Sequence, residues 1–137
     1  MIAVLDASAF APVVIADERD SLLPGLADAL TETGAITVPP HWRIEVANMI
    51  LVASRRGRLK GDELAGAIHT AEAVIVDVDH AADESIYNRT WALAQQHRLT
   101  IYDAAYLELA IRRQLPLATH DRQLRTAAKS ETIALLP

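Results

Sequence analysis

Four short apolar runs punctuate this chain: residues 2–5 (IAVL), 35–38 (AITV), 74–78 (VIVDV) and 117–119 (LAT). Each is too short to stand as a helix, and each stops at a charged residue, a proline or a loop. Strands that are apolar on both faces belong to a sheet covered from both sides. Longer stretches between the runs carry helical periodicity, over residues 7–16, 21–32, 41–56, 62–73, 81–97, 101–114 and 122–129. A fifth short run, residues 132–136 (TIALL), reads as a last strand. Strands alternating with helices need crossover connections, and crossovers give a mostly parallel sheet between helical layers. The pattern predicts an α/β fold.

Local signals place several helix ends. Pro12 is a weak point inside the first helix, and Pro24 is tolerable in the first turn of the second. Gly57 ends the helix that starts near His41, with Arg55 and Arg56 in its last turn. Thr100 is positioned to cap the helix that follows it.

A length of 137 residues fits one domain, residues 1–137, with room for a real core. Hydrophobic residues make up 51% and aromatics only 4%, so the core is built of Ala, Val, Ile and Leu, which excludes a disordered chain. The absence of cysteine removes disulfides, thiolate chemistry and cysteine zinc sites. No basic leader and no membrane-length apolar run are visible, which predicts a soluble, cytoplasmic protein. The formal net charge of −5 disfavours plain electrostatic binding of nucleic acid, unless converging acids hold cations that reverse the local field.

Open α/β sheets bind ligands at the carboxyl ends of their strands. Two acids stand there: Asp6, directly after the first strand, and Asp121, just after the fourth. Either is also a plausible helix N-cap. Two more acids lie on helices. Glu45 sits in "HWRIEVANMILVAS", where apolar residues cover nearly the whole circumference. A helix apolar all round is buried, and a Glu within it needs a partner or a metal. The competing reading puts Glu45 in an exposed gap beside Asn48. Asp103, in "IYDAAYLELAIRR", projects into the sector of Tyr102, Tyr106, Leu109 and Ala110. Glu108 projects to the other side, where Arg112 follows at i+4 as an expected surface pair. Ser8 and Thr119 are hydroxyl residues beside the two strand-end acids. Carboxylates are hard ligands suited to Mg²⁺ or Mn²⁺. Held close, they repel unless a cation lies between them. Metal-bridged carboxylates serve phosphodiester hydrolysis.

Other chemistries lack their signatures. His41, His69, His80, His97 and His120 show no metal-binding helix spacing, and no phosphate-cradling glycine loop is present. Ser8 lacks a nucleophile-elbow context. The acids Asp77, Asp79, Asp83 and Glu84 imitate a phospho-acceptor site but read as solvated residues at a strand end and helix start. Arg55, Arg56, Arg58 and Lys60, with Arg112 and Arg113 and with Arg122 and Arg125, form basic groups. At least one is expected to hold phosphates flanking a cut.

The stretches "VLDASAF", "VPPHWRIEVANMIL", "LTIYDAAYLELAIRRQLPLATHDRQL" and "IALLP", in this order, resemble the PIN-domain ribonucleases, and among them the VapC toxins of toxin–antitoxin pairs. The resemblance implies a PIN-like α/β/α sandwich. It places Asp6, Glu45, Asp103 and Asp121 on the family's acidic quartet, with Ser8, Asn48 and Thr119 in support. It further implies dependence on Mg²⁺ or Mn²⁺, endonucleolytic cleavage of RNA (tRNA or rRNA), homodimerisation and inhibition by a VapB-type antitoxin. His120 departs from the family pattern and reads as a solvent-facing loop residue. Attack by metal-activated water would leave 5′-phosphate and 3′-hydroxyl ends. Two other readings stay open: a non-catalytic module that binds antitoxin or RNA, and a DNA-cutting relative.

Overall fold

The computed structural model describes residues 2–137. Its elements are β1 (Ala3–Leu5), α1 (Ala7–Val14), α2 (Pro24–Ala29), β2 (Ile36–Val38), α3 (Trp42–Arg55), α4 (Asp62–Ala73), β3 (Asp77–Val78), α5 (Trp91–His97), α6 (Ile101–Arg113), β4 (Leu117–Ala118) and α7 (Arg122–Ser130). The strands form one parallel sheet in the order β3-β2-β1-β4, with Ala3 opposite Ile36, Val4 opposite Leu117 and Thr37 opposite Asp77. Helices flank it, giving the expected α/β/α sandwich. β1 and β2 are buried along their whole length, as strands covered on both faces must be.

The core joins β1, β2 and β4 to the inner faces of α1, α3, α6 and α7. Phe10 on α1 packs against Trp42 on α3 with ring centroids 5.1 Å apart. Full burial of such a side chain contributes roughly 1.5–3 kcal/mol. This packing fixes α3, and with it Glu45, against the helix that leaves β1.

Five expectations need correction. The segment 21–32 is helical only over Pro24–Ala29; short helical turns at Ala16–Ser21 precede it. The segment 81–97 is not one helix. A tight turn at His80–Ser85 and a wide turn at Ile86–Thr90 come before α5. The strand expected over 74–78 shortens to Asp77–Val78. The run 132–136 makes a single bridge, Leu135 to Leu117, instead of a strand. Finally, α3 is not buried all round. Ile44 is 74% exposed and Leu51 is also exposed, so the helix shows an apolar stripe to solvent. Among the described residues, no helix is long and apolar enough to cross a membrane.

Candidate functional site

Asp6 follows β1 and opens α1, the position of an N-cap, yet its side chain makes no capping hydrogen bond. Its carboxylate turns to two hydroxyls instead. Ser8 Oγ and Thr119 Oγ1 each donate to Asp6 Oδ2 at 2.6 Å. The backbone N–H of His120 donates to Ser8 Oγ, and that of Asp121 to Thr119 Oγ1, both at 3.0 Å. With their oxygens so occupied, the hydroxyl protons are directed at Asp6. Oδ2 is thus held jointly by α1 and by the loop after β4, and neither hydroxyl engages Oδ1. Asp6 is 4% exposed. Burial pushes its carboxyl upward, the hydroxyl bonds oppose this, and the charge of Glu45 adds to it.

Glu45 lies in the first turn of α3. Tyr106, fully buried on α6, donates its hydroxyl to Glu45 Oε1 at 2.7 Å. His41 Nε2 stands 3.0 Å from the same oxygen. Burial would raise the Glu45 carboxyl, but the His41 and Tyr106 contacts outweigh it and hold it below the usual range. Again one oxygen is fixed and the other is spare.

Asp103 sits in the first turn of α6, where Thr100 caps the helix by accepting the Asp103 N–H at 3.1 Å. Its carboxyl is pushed up to about 6, first by burial and then by the charges of Asp6, Asp121 and Glu45. Asp121 does cap α7: its Oδ1 accepts the Leu124 N–H at 2.8 Å, and Oδ2 is unengaged. Capping and site membership are thus both realised at Asp121, through different oxygens.

The four acids line one cleft with Ser8, Asn48, Met49, Ile44 and Tyr102. Thr119 lies beneath, reaching the cleft through Asp6. Asn48 is exposed on the cleft wall, and the exposed His120 lines an adjoining cleft. Among the described residues, no group of three Asp, Glu or His side chains is placed to hold a metal ion together. Mg²⁺ does not need one, because it keeps several waters and takes one or two carboxylates. The donor set therefore fits a hard divalent ion: oxygen throughout, partly oriented by hydrogen bonds, and self-repelling without a cation.

Sequence reasoning did not single out Tyr106 or His41 as supports for Glu45. The signal was the spacing within "YDAAY": Tyr106 follows Asp103 by three residues and shares its side of α6. Two charged groups were also misjudged. Glu108 is 2% exposed, not on the surface; it accepts from Arg112 Nε at 2.9 Å and Arg89 Nε at 3.2 Å. Asp79, taken for a solvated strand-end acid, is buried and pairs with Arg112 and Arg113. Arg112 bridges the two acids, while Arg89 completes the cover of Glu108 and Arg113 that of Asp79.

A family model described as "PIN domain" matches residues 3–130. Ribonuclease VapC3 of Pyrobaculum aerophilum is 31% identical over 121 residues, covering 88% of this chain and 90% of its own. This chain belongs to the PIN-domain family, as a VapC-type member. Solved structures show the same PIN fold. PAE2754 from Pyrobaculum aerophilum matches with TM-score 0.65 at 22% identity, covering 93% of this chain and 79% of that one. Mycobacterium tuberculosis VapC20, described as a sarcin-ricin-loop-cleaving toxin, matches at 0.60 with 15% identity, covering 91% and 94%. FitAcB from Neisseria gonorrhoeae matches at 0.53 with 19% identity, covering 99% and 97%. The PIN-domain match includes all four cleft acids and both hydroxyl residues that hold Asp6.

Proposed function

We propose that this chain is an Mg²⁺- or Mn²⁺-dependent endoribonuclease and the toxin of a toxin–antitoxin pair. The observation that carries the reading is the single cleft that four carboxylates line, three of them with one oxygen hydrogen-bonded within the protein. Its relationship to Ribonuclease VapC3 supports RNA as the substrate. A tRNA or rRNA loop is the preferred target, since unpaired bases are the readable ones.

Asp6, Glu45, Asp103 and Asp121 are the residues that would hold the divalent ion, which would supply an activated water and counter-charge for the phosphate. The protein's part is positional. Ser8 and Thr119 hold Asp6, Tyr106 holds Glu45, and the α7 N-terminus holds Asp121. Asp103, pushed up to about 6 by burial and by the charges of Asp6, Asp121 and Glu45 with only a Thr100 hydroxyl bond opposing them, carries a charge that a cation would relieve. Products with 5′-phosphate and 3′-hydroxyl ends follow from attack by water. The partners of this reading are a VapB-type antitoxin and a second copy of the chain, and its compartment is the cytoplasm.

The test is incubation of the antitoxin-free protein with total tRNA and rRNA, with and without Mg²⁺, alongside Asp103→Asn and a matched single-stranded DNA. Cleavage of RNA by the wild type alone, stopped by EDTA, is expected. A 2′,3′-cyclic phosphate product would refute the mechanism. No cleavage by a folded wild type, across pools that include its own tRNA and rRNA, would leave a binding module.

A further inference from the structure

The acid cleft does not end at the acids. Ser8, Asn48, Met49 and Asp121 line it and also line a second cleft, so the two form one trough. Tyr102 and Ile44 belong only to the first cleft. Arg56 and His120 belong only to the second. The trough thus leads from an aromatic and apolar end, past the acids, to a cationic end.

Both ends have features a passive surface lacks. Tyr102 is 62% exposed, yet its ring is held from behind. His41 packs edge-on against it at 5.6 Å, and His41 in turn packs against the buried Tyr106 at 5.0 Å. A large ring kept in water but fixed in orientation is a ready platform. At the other end, two arginines line the cleft and differ in what they hold. Arg58 is occupied by Asp17 and Glu18. Arg56 pairs with no acid among the described residues. Its charge is available to a ligand.

Resting on the ribonuclease reading, we propose that this trough is the track of a single-stranded RNA. One base stacks on Tyr102 on one side of the acids, and a backbone phosphate is held by Arg56, beside His120, on the other. A ligand that offers a flat π-face and, a few bonds away, a phosphate matches both ends; aromatic stacking and arginine–phosphate contact are how proteins hold unpaired strands. The anionic acids between them receive the scissile phosphate only with their cation bound, so the flanking contacts supply the grip that the net-negative protein otherwise lacks.

The experiment is fluorescence anisotropy of a labelled single-stranded RNA 12-mer on the Asp103→Asn protein in Mg²⁺, across a salt series. Tyr102→Ala should weaken binding by roughly 5- to 150-fold, the worth of one stacked base, with the salt slope unchanged. Tyr102→Phe should bind like its parent, because the ring does the work. Arg56→Gln should weaken binding and reduce the salt slope by about 0.7, the loss of one phosphate contact on a single strand. Tyr87→Ala, removing a more exposed tyrosine outside the trough (86% exposed), should change nothing. RNA binding that is untouched by Tyr102→Ala and Arg56→Gln overturns the track while leaving the ribonuclease reading in place. The same holds if those variants loosen only a co-expressed antitoxin. If the parent binds no RNA and the wild type cleaves none, the ribonuclease reading falls and the track with it.

Discussion

Asp103→Asn should make the metal-free protein more stable. In the fold its carboxyl rises from the ordinary 3.8 to about 6, through burial and the charges of Asp6, Asp121 and Glu45. At about 1.4 kcal/mol per pH unit the full rise corresponds to about 3 kcal/mol. Asp103 is only half-buried, so solvent screening reduces this to about 1.5 kcal/mol. For 137 residues, with an unfolding entropy of about 2.1 cal/mol/K per residue, that is about 5 °C in Tm. The sign follows from linkage. The folded protein holds the Asp103 proton more tightly than the unfolded chain does, so the charged form above about pH 6 is the destabilised one. As pH falls from about 6 toward 3.8, the wild type recovers what the substitution gives. Thermal melts in EDTA should therefore show the variant about 5 °C above the wild type at pH 7.5, with the gap closing by about pH 4. Asp79, outside the cleft, loses stabilisation in that same acid range equally in both proteins, so the gap reads Asp103 together with the cleft acids coupled to it. Adding Mg²⁺ should raise the wild type more than the variant. A variant that melts at or below the wild type at pH 7.5, with no pH-dependent gap, would show that burial and the neighbouring carboxylates do not disfavour the Asp103 charge.

Other substitutions probe the supports. Tyr106→Phe removes the hydroxyl that holds Glu45 Oε1. It should cost about 1 kcal/mol of stability in melts, and kcat should fall in the RNA cleavage assay while the fold is retained. Glu108→Ala removes the buried acceptor of the exposed Arg89 and one of the two acceptors of Arg112, which keeps Asp79. A loss of about 1–3 kcal/mol in urea unfolding is expected, with Glu108→Gln milder. Gly57 has φ +72° where α3 ends. Gly57→Ala should lower stability by about 1–2 kcal/mol without affecting cleavage.

The layer order was legible because strand and helix periods differ and alternate along the chain. α4 was readable to the residue, flanked by Gly61 and extended Val74. The segment around residues 80–90 was not, because its wide and tight turns carry the same local periodicity as a helix and differ only in hydrogen-bond reach. Site legibility divided along similar lines. Strand-end acids are marked by position, so Asp6 and Asp121 stood out. Glu45 was argued from a false premise: its helix keeps Ile44 and Leu51 in solvent, and the acid is held by Tyr106 from a distant segment. The burial of Glu108 was invisible for a related reason. An i+4 Arg suggests a surface pair on an isolated helix, and only the arrival of Asp79 and Arg89 turns it into an enclosed network.

That network bears on the site because both lie on α6. The first turn of α6 carries Asp103, driven away from three other acids, and its second carries Tyr106, which reaches Glu45. Repulsion at one end of a helix would slide or fray it unless the rest were anchored. The anchor is charged as well: Glu108 and Arg112 bind Asp79 beyond β3 and Arg89 in the turn before α5. Buried ion pairs add little net stability compared with apolar packing, but they resist displacement, since any shift strands a charge. An apolar α6 would pack as well and hold less firmly in register. The ions on its second half are thus the counterpart of the uncompensated acid on its first, and the helix can present Asp103 to a cation without moving away from it.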